Sequence, residues 1–220
     1  MPRKSYSEEE IAKRRKQILD VSLSLFEKKG YDGTSMRQIA QKADMSLGML
    51  YYYFENKTDI YLALYEKALD LMEESFREAM ETPVPDIPSR ISIMLYSYFN
   101  YYNEHPDYYR IFTTGNRGGD NDIEIPQELK QKGLNLLHLL EGPVQEGMKQ
   151  GVIRPSDSFK AVVSMWSMSD GILMLHKKTR VELLGDKFMD YYATAVNIIL
   201  NGILDGGQPH EPVSGEESRL

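Results

Sequence analysis

The chain has no cysteine, and that removes two classes of protein at once. There can be no disulfide framework and no thiolate zinc site, and nothing implies an oxidising compartment. Histidine is almost as scarce. His105, His138, His176 and His210 are scattered, and no pair has metal-ligand spacing, so no metal site is expected. No apolar run approaches the ~20 residues that span a bilayer, and the first ten residues lack a signal-peptide core; a soluble cytoplasmic protein without a membrane partner is expected. There is no Gly-rich phosphate loop, no nucleophile–base constellation and no cofactor motif, so neither an enzyme nor a cofactor is expected. Positive charge is also in deficit, with a net charge of −7.

The deficit is uneven. Residues 1–60 hold eleven Lys/Arg against nine Asp/Glu, a balance of +2, and the remainder holds fifteen against twenty-four, a balance of −9. The cations cluster at Arg3-Lys4 and Lys13-Arg14-Arg15-Lys16. A basic patch on one face, rather than whole-chain charge, is the footprint of a nucleic-acid binder. The run at 13–16 reads equally as the solvated face of a first helix.

What the sequence does have is concentrated in residues 34–58. Thr34 and Ser35 are N-cap types, and Ser35 with Gln38 fits a capping box. Met36, Ile39, Ala40 and Ala43 recur at helical spacing. Asp44-Met45 forms a tight turn in which Asp tolerates the left-handed conformation. Ser46 caps a second short helix whose Leu50 and Phe54 point inward, leaving Leu47, Gly48, Met49, Tyr51, Tyr52 and Tyr53 less committed to the core. Two helices joined by such a turn make a helix-turn-helix, whose second helix can enter the DNA major groove. Gly48 costs about 1 kcal/mol in a helix interior, but it lets that helix lie close to another surface. Lys57 follows the N-cap type Asn56, and a helix N-terminus plus Lys makes a phosphate cradle. Read alone, Gly48 is as well explained by drift and Lys57 by a solvated charge.

Gly30-Tyr31, Thr34-Ser35, Ile39-Ala40, Ala43, Ser46, Gly48, Leu50-Tyr51, Tyr53-Phe54 and Lys57 together resemble the signature of the tetracycline-repressor (TetR) family of transcriptional regulators. The likeness covers residues 11–65; Asp44 departs from it, standing where the family usually has Gly. The resemblance implies an all-α protein: an N-terminal three-helix DNA-binding domain, then a helical domain that dimerises and holds an inducer. The expected domains are 1–57 (DNA-binding), 58–205 (ligand-binding and dimerisation) and a disordered tail, 206–220. The expected partners are a near-palindromic double-stranded operator, a second copy of the chain and a small, largely apolar inducer. Leu47, Gly48, Met49 and Tyr51 are assigned to the major groove. Thr34, Arg37, Ser46, Tyr52 and Lys57 are assigned to phosphates, with Arg37 also able to reach a base edge.

Downstream, helices are expected over 8–29, from Asn56 to Met80, to Asn103, through Phe112, to Gln150 with a kink at Gly142-Pro143, and over 156–178 and 186–204. Gly115–Asp122 reads as loop. The last two helices are apolar on more than one face, which calls for a second set of partners, and Ile199 is expected on the side facing a second subunit. Tyr96, Phe99, Tyr102, Tyr109, Phe112 and Trp166 are candidates to line an apolar cavity, with Asp170 fixing a polar ligand group; plain core is the competing reading. A helical module that no longer binds DNA is the alternative to a repressor.

Overall fold

A computed structural model describes residues 7–114, 123–177 and 187–205. The expectations for Arg3-Lys4, for Gly115–Asp122 and for the tail 206–220 lie outside those residues. Among the described residues there are nine helices: α1 (Glu8–Lys29), α2 (Met36–Lys42), α3 (Leu47–Tyr53), α4 (Lys57–Glu81), α5 (Ile87–Glu104), α6 (Pro106–Thr114), α7 (Gln127–Lys149), α8 (Ser158–Lys177) and α9 (Phe188–Ile203). The fold is all-α, with an N-terminal helix-turn-helix followed by further helices.

Local chemistry sets these boundaries. Ser7 and Glu10 form a capping box at the start of α1, and Gly30 ends that helix with φ 73°. Asn56 caps α4 by accepting from the Asp59 N–H at 2.9 Å, and Asp86 caps α5 through Ser89 at 2.8 Å. Each cap of this kind stabilises its helix by about 1 kcal/mol. Pro143 lies inside α7, where its missing N–H removes one rung of the helix. Gly151, at φ 71°, follows that helix.

The helices fall into two compact units. The first contains α1, α2, α3, α4 as far as Asp70, and α6. Its core is built on Ile18, Phe26, Ile39, Leu50, Ile60 and Leu64, all buried. Phe26, Tyr31 and Tyr61 meet with ring centroids 5.4–5.8 Å apart. The Tyr61 hydroxyl donates to the Ile111 carbonyl at 2.6 Å, tying α6 into this unit.

The second unit contains α4 from Leu71, then α5, most of α7, α8 and α9. Tyr192 of α9 is fully buried between Tyr96 and Phe99, and its hydroxyl donates to the Leu95 carbonyl at 2.6 Å. Burial holds that phenol protonated, far above the ordinary tyrosine pKa. Ile153 and Leu204 form one antiparallel bridge that periodicity did not reveal. It is closed by the Arg154 N–H on the Ile203 carbonyl and the Asp205 N–H on the Val152 carbonyl, both 2.9 Å.

Candidate nucleic-acid interface

The turn between α2 and α3 is a Schellman motif with aspartate in the glycine position. Asp44 has φ 52°, its N–H donates to the Gln41 carbonyl at 3.3 Å, and the Met45 N–H donates to the Ala40 carbonyl at 3.0 Å. The αL conformation expected of Asp44 is therefore present. At the other end of α2, the capping box is complete: Ser35 accepts from the Gln38 N–H at 3.3 Å, and Gln38 accepts from the Ser35 N–H at 2.9 Å.

This geometry divides the motif into two faces. Ile39, Ala40, Ala43, Leu50 and Tyr53 are buried inward. Arg37, Gln41, Lys42, Ser46, Gly48, Tyr51 and Tyr52 are exposed, with Leu47 and Met49 partly so. Tyr51 is 49% and Tyr52 63% exposed, an unusual display of aromatic surface for a seven-residue helix. A Cβ added at Gly48 would meet nothing within 4 Å, so no contact inside the chain demands glycine there. Ser46 accepts from the Met49 N–H at 3.1 Å, which leaves its own hydroxyl proton to donate outward.

Three residues stand differently from expectation. Tyr53 is buried, because it lies three residues after Leu50 and shares that helix face. Thr34 is 2% exposed, and its hydroxyl donates back to the Gly30 carbonyl at 2.8 Å; with that single proton spent, the side chain cannot donate to a phosphate. Lys57 is half-buried and already engaged. Its Nζ donates to the carbonyls of Tyr31 (2.6 Å) and Thr34 (2.8 Å) and lies 4.0 Å from the Tyr31 ring centroid. Burial lowers its pKa, opposed by the field of Asp32. Two of its three protons thus fasten the link between α1 and α2 to the start of α4.

Two positioning groups on α1 went unread in the sequence. Arg15 donates to the Tyr53 carbonyl at 2.6 Å, with its guanidinium 4.2 Å from the Phe54 ring centroid. Gln17 donates to the Ala43 carbonyl at 2.9 Å. No local signal marks either, since each contact joins residues 26 or more apart.

The candidate ligand residues separate between the units. Tyr109 is fully buried in the first, and Phe112 packs on Tyr65 there at 5.6 Å. Tyr96, Phe99, Tyr102, Trp166 and Asp170 lie in the second. They are connected through α9 and α5: Phe99 and Tyr102 both pack on Phe188, Tyr98 packs on Trp166, and the Tyr98 hydroxyl donates to Asp170 at 2.9 Å. Tyr102 also shares a 2.7 Å hydrogen bond with His176, whose ring stacks on Phe188 at 3.8 Å. A separate open cleft of about 460 Å³ in this unit is lined by Met80, Pro85, Ile87, Arg90 and Pro143 among others.

Comparison with known proteins finds a family model within the first unit and likenesses that extend beyond it. Residues 18–64 match the family model for bacterial regulatory proteins of the tetR family. The chain is 26% identical over 145 residues to the uncharacterised HTH-type transcriptional regulator YhgD of Bacillus subtilis, covering 66% of this chain and 74% of that one. It is 23% identical over 142 residues to the fatty acid metabolism regulator protein of the same organism, covering 63% and 70%. The solved SmeT–triclosan complex shares the fold with a TM-score of 0.66 at 23% identity, over 91% of this chain and 98% of that one. Joined to a helix-turn-helix whose outer face is exposed, these likenesses place residues 18–64 in the tetR family of bacterial regulatory proteins.

Proposed function

We propose that the protein is a homodimeric repressor that reads a near-palindromic operator with α3 and leaves it when a small, largely apolar molecule binds the second unit. The observation that carries the DNA reading is the division of α3, whose inner face is buried while Gly48, Tyr51 and Tyr52 are exposed. In this reading Leu47, Met49 and Tyr51 approach base edges; Leu47 and Met49 can make only apolar contacts there, such as with a thymine methyl. Ser46, Tyr52, Arg37 and the third proton of Lys57 serve phosphates. Thr34 contributes by holding the loop before α2.

The dimer reading rests on α8 and α9. Met168, Leu175, Tyr191 and Ile198 are large apolar side chains 42–57% exposed on these two paired helices. One short recognition helix reads too few base pairs to be specific, and a two-fold dimer doubles the site with half-sites about 34–36 Å apart.

The inducer reading rests on the aromatic cluster around Tyr96, Phe99, Tyr102 and Trp166, with Asp170 and, at its exposed edge, His176 as its polar groups. A structural neighbour holds triclosan, and one relative regulates fatty acid metabolism. Helix α4 belongs to both units and is the covalent path between ligand and α3. Release requires the ligand to favour the DNA-incompetent arrangement, by about 1–3 kcal/mol for an ordinary coupling.

Selection of bound sites from a random duplex library tests the whole reading. A near-palindrome, bound by two chains with steep salt dependence and released by an apolar ligand, is the expected result. Failure to enrich any sequence would overturn it.

A further inference from the structure

We propose that Arg15 is a positioning residue for DNA recognition: it holds the C-terminus of α3 and so sets the pose of the recognition helix, and its charge is not a phosphate contact. The inference rests on the reading that α3 meets DNA.

Tyr53 is the last residue of α3, so its carbonyl sits at the C-terminal end of that helix. The helix stops there, because Phe54 is extended at φ −144° and ψ 126°. Arg15 of α1 donates to that carbonyl. One guanidinium N–H reaches the Tyr53 carbonyl at 2.6 Å while the same plane lies 4.2 Å from the Phe54 ring centroid. A hydrogen bond and a ring contact from one rigid fork fix direction as well as distance. A cation at a helix C-terminus also complements the helix dipole.

The neighbouring contacts make this a device rather than an isolated bond. Arg14 donates to the Gln17 side-chain oxygen at 2.9 Å, which turns the Gln17 amide nitrogen toward the Ala43 carbonyl, also 2.9 Å away. Ala43 is the C-cap of α2. Residues 15 and 17 of one helix therefore hold the C-terminal ends of α3 and α2 together. Half of the basic run 13–16, which by composition looks like a DNA-facing patch, is turned to fastening the motif.

The two roles for Arg15 differ in salt dependence. A lost phosphate contact lowers the slope of log K against log[salt] by about 0.9, and a lysine largely replaces it. A lost clamp leaves the slope unchanged, and lysine cannot replace a planar fork. The test compares wild type, Arg15→Lys, Arg15→Gln and the adjacent exposed-charge control Lys16→Gln. Operator affinity is measured across a salt series, and hydrogen exchange of α3 amides is measured without DNA. We expect both Arg15 variants to lose about tenfold in affinity, in line with one charged hydrogen bond, at unchanged slope, with faster α3 exchange and the exchange in the second unit unaltered. Full rescue by lysine, or a slope reduced by about one charge with α3 exchange unchanged, would overturn the proposal. Should wild type bind no DNA, the functional reading fails, yet the exchange comparison still decides the clamp. Arg15→Lys keeps that comparison available if Arg15→Gln does not fold.

Discussion

Replacing Lys57 with Met removes a fastening whose strength can be worked from its geometry. The variant keeps most of the aliphatic stem but loses donors to two backbone carbonyls, at 2.6 and 2.8 Å, and the cation beside the Tyr31 ring. A hydrogen bond to a charged group is worth about 1.5–3 kcal/mol, and an exposed cation–π contact about 0.5–1 kcal/mol. The two bonds share one ammonium, and the freed carbonyls regain some water. Full additivity therefore fails, and a net loss of about 2–3 kcal/mol is the reasonable figure. At this chain length each kcal/mol moves Tm by about 2–4 °C, so calorimetry should show a fall of roughly 4–12 °C. The same variant should bind DNA less tightly, with the salt slope reduced by at most about one charge through the third proton. If Lys57→Met melted with wild type and lost only the salt slope, Lys57 would be a pure phosphate ligand and the clasp would have no energetic weight.

The remaining predictions concern the second unit. Ile198 is 57% exposed, so burying it against a second subunit contributes about 1–2 kcal/mol per chain, and Ile198→Asp adds the cost of a desolvated carboxylate. Analytical ultracentrifugation should show the dimer constant weakened by at least ~100-fold with each chain still folded; an unchanged constant would take Ile198 out of the interface. Ile199→Asp, at a position only 6% exposed, should instead unfold the chain, visible as lost helical circular dichroism. Mild acid should act through His176, whose pKa lies below the ordinary 6.5 because partial burial disfavours the cation. The unfolded chain then takes the proton first, so stability is fully present above about pH 6.5 and falls as pH drops through the lower folded value. Thermal melts from pH 7.5 to 5 should show that decline, and His176→Gln should flatten it. The carboxylates of Glu141 and Asp157, held below 4.5 and 3.8 by hydrogen bonds, enter only in a more acid window.

Legibility in the sequence followed the range of the contact. Helix starts at Ser7, Ser35 and Ser46, and the αL turn at Asp44, depend on residues three to five apart, and all are readable from spacing. The inward face of α3 was nearly readable; only Tyr53 was misassigned, and its three-residue spacing from Leu50 already carried the answer. Thr34 was harder, because a hydroxyl turned outward to a cap and one turned back four residues to a carbonyl look alike in sequence. Lys57, Arg15 and Gln17 find their partners 23–38 residues away, beyond any periodicity. On α9 the apolar stripe is wide enough that Ile198 and Ile199 look equivalent until packing separates them. Aromatic spacing likewise could not separate Tyr109 and Phe112, which pack in the first unit, from Tyr96 and Phe99 in the second.

The measurement that bears most directly on the central claim is Gly48→Ala, read for both stability and operator affinity. Nothing in the chain lies within 4 Å of the added methyl, and alanine is favoured over glycine in a helix by about 1 kcal/mol. In the free protein the variant should therefore melt at or above the wild-type temperature. If the outer face of α3 lies against DNA at the closeness glycine permits, the same methyl must lower operator affinity. A variant that is more stable yet binds its operator less tightly is the result this account predicts. A variant equally or more stable that binds with undiminished affinity would contradict it, because the bare face of α3 would then not be the surface that reads DNA.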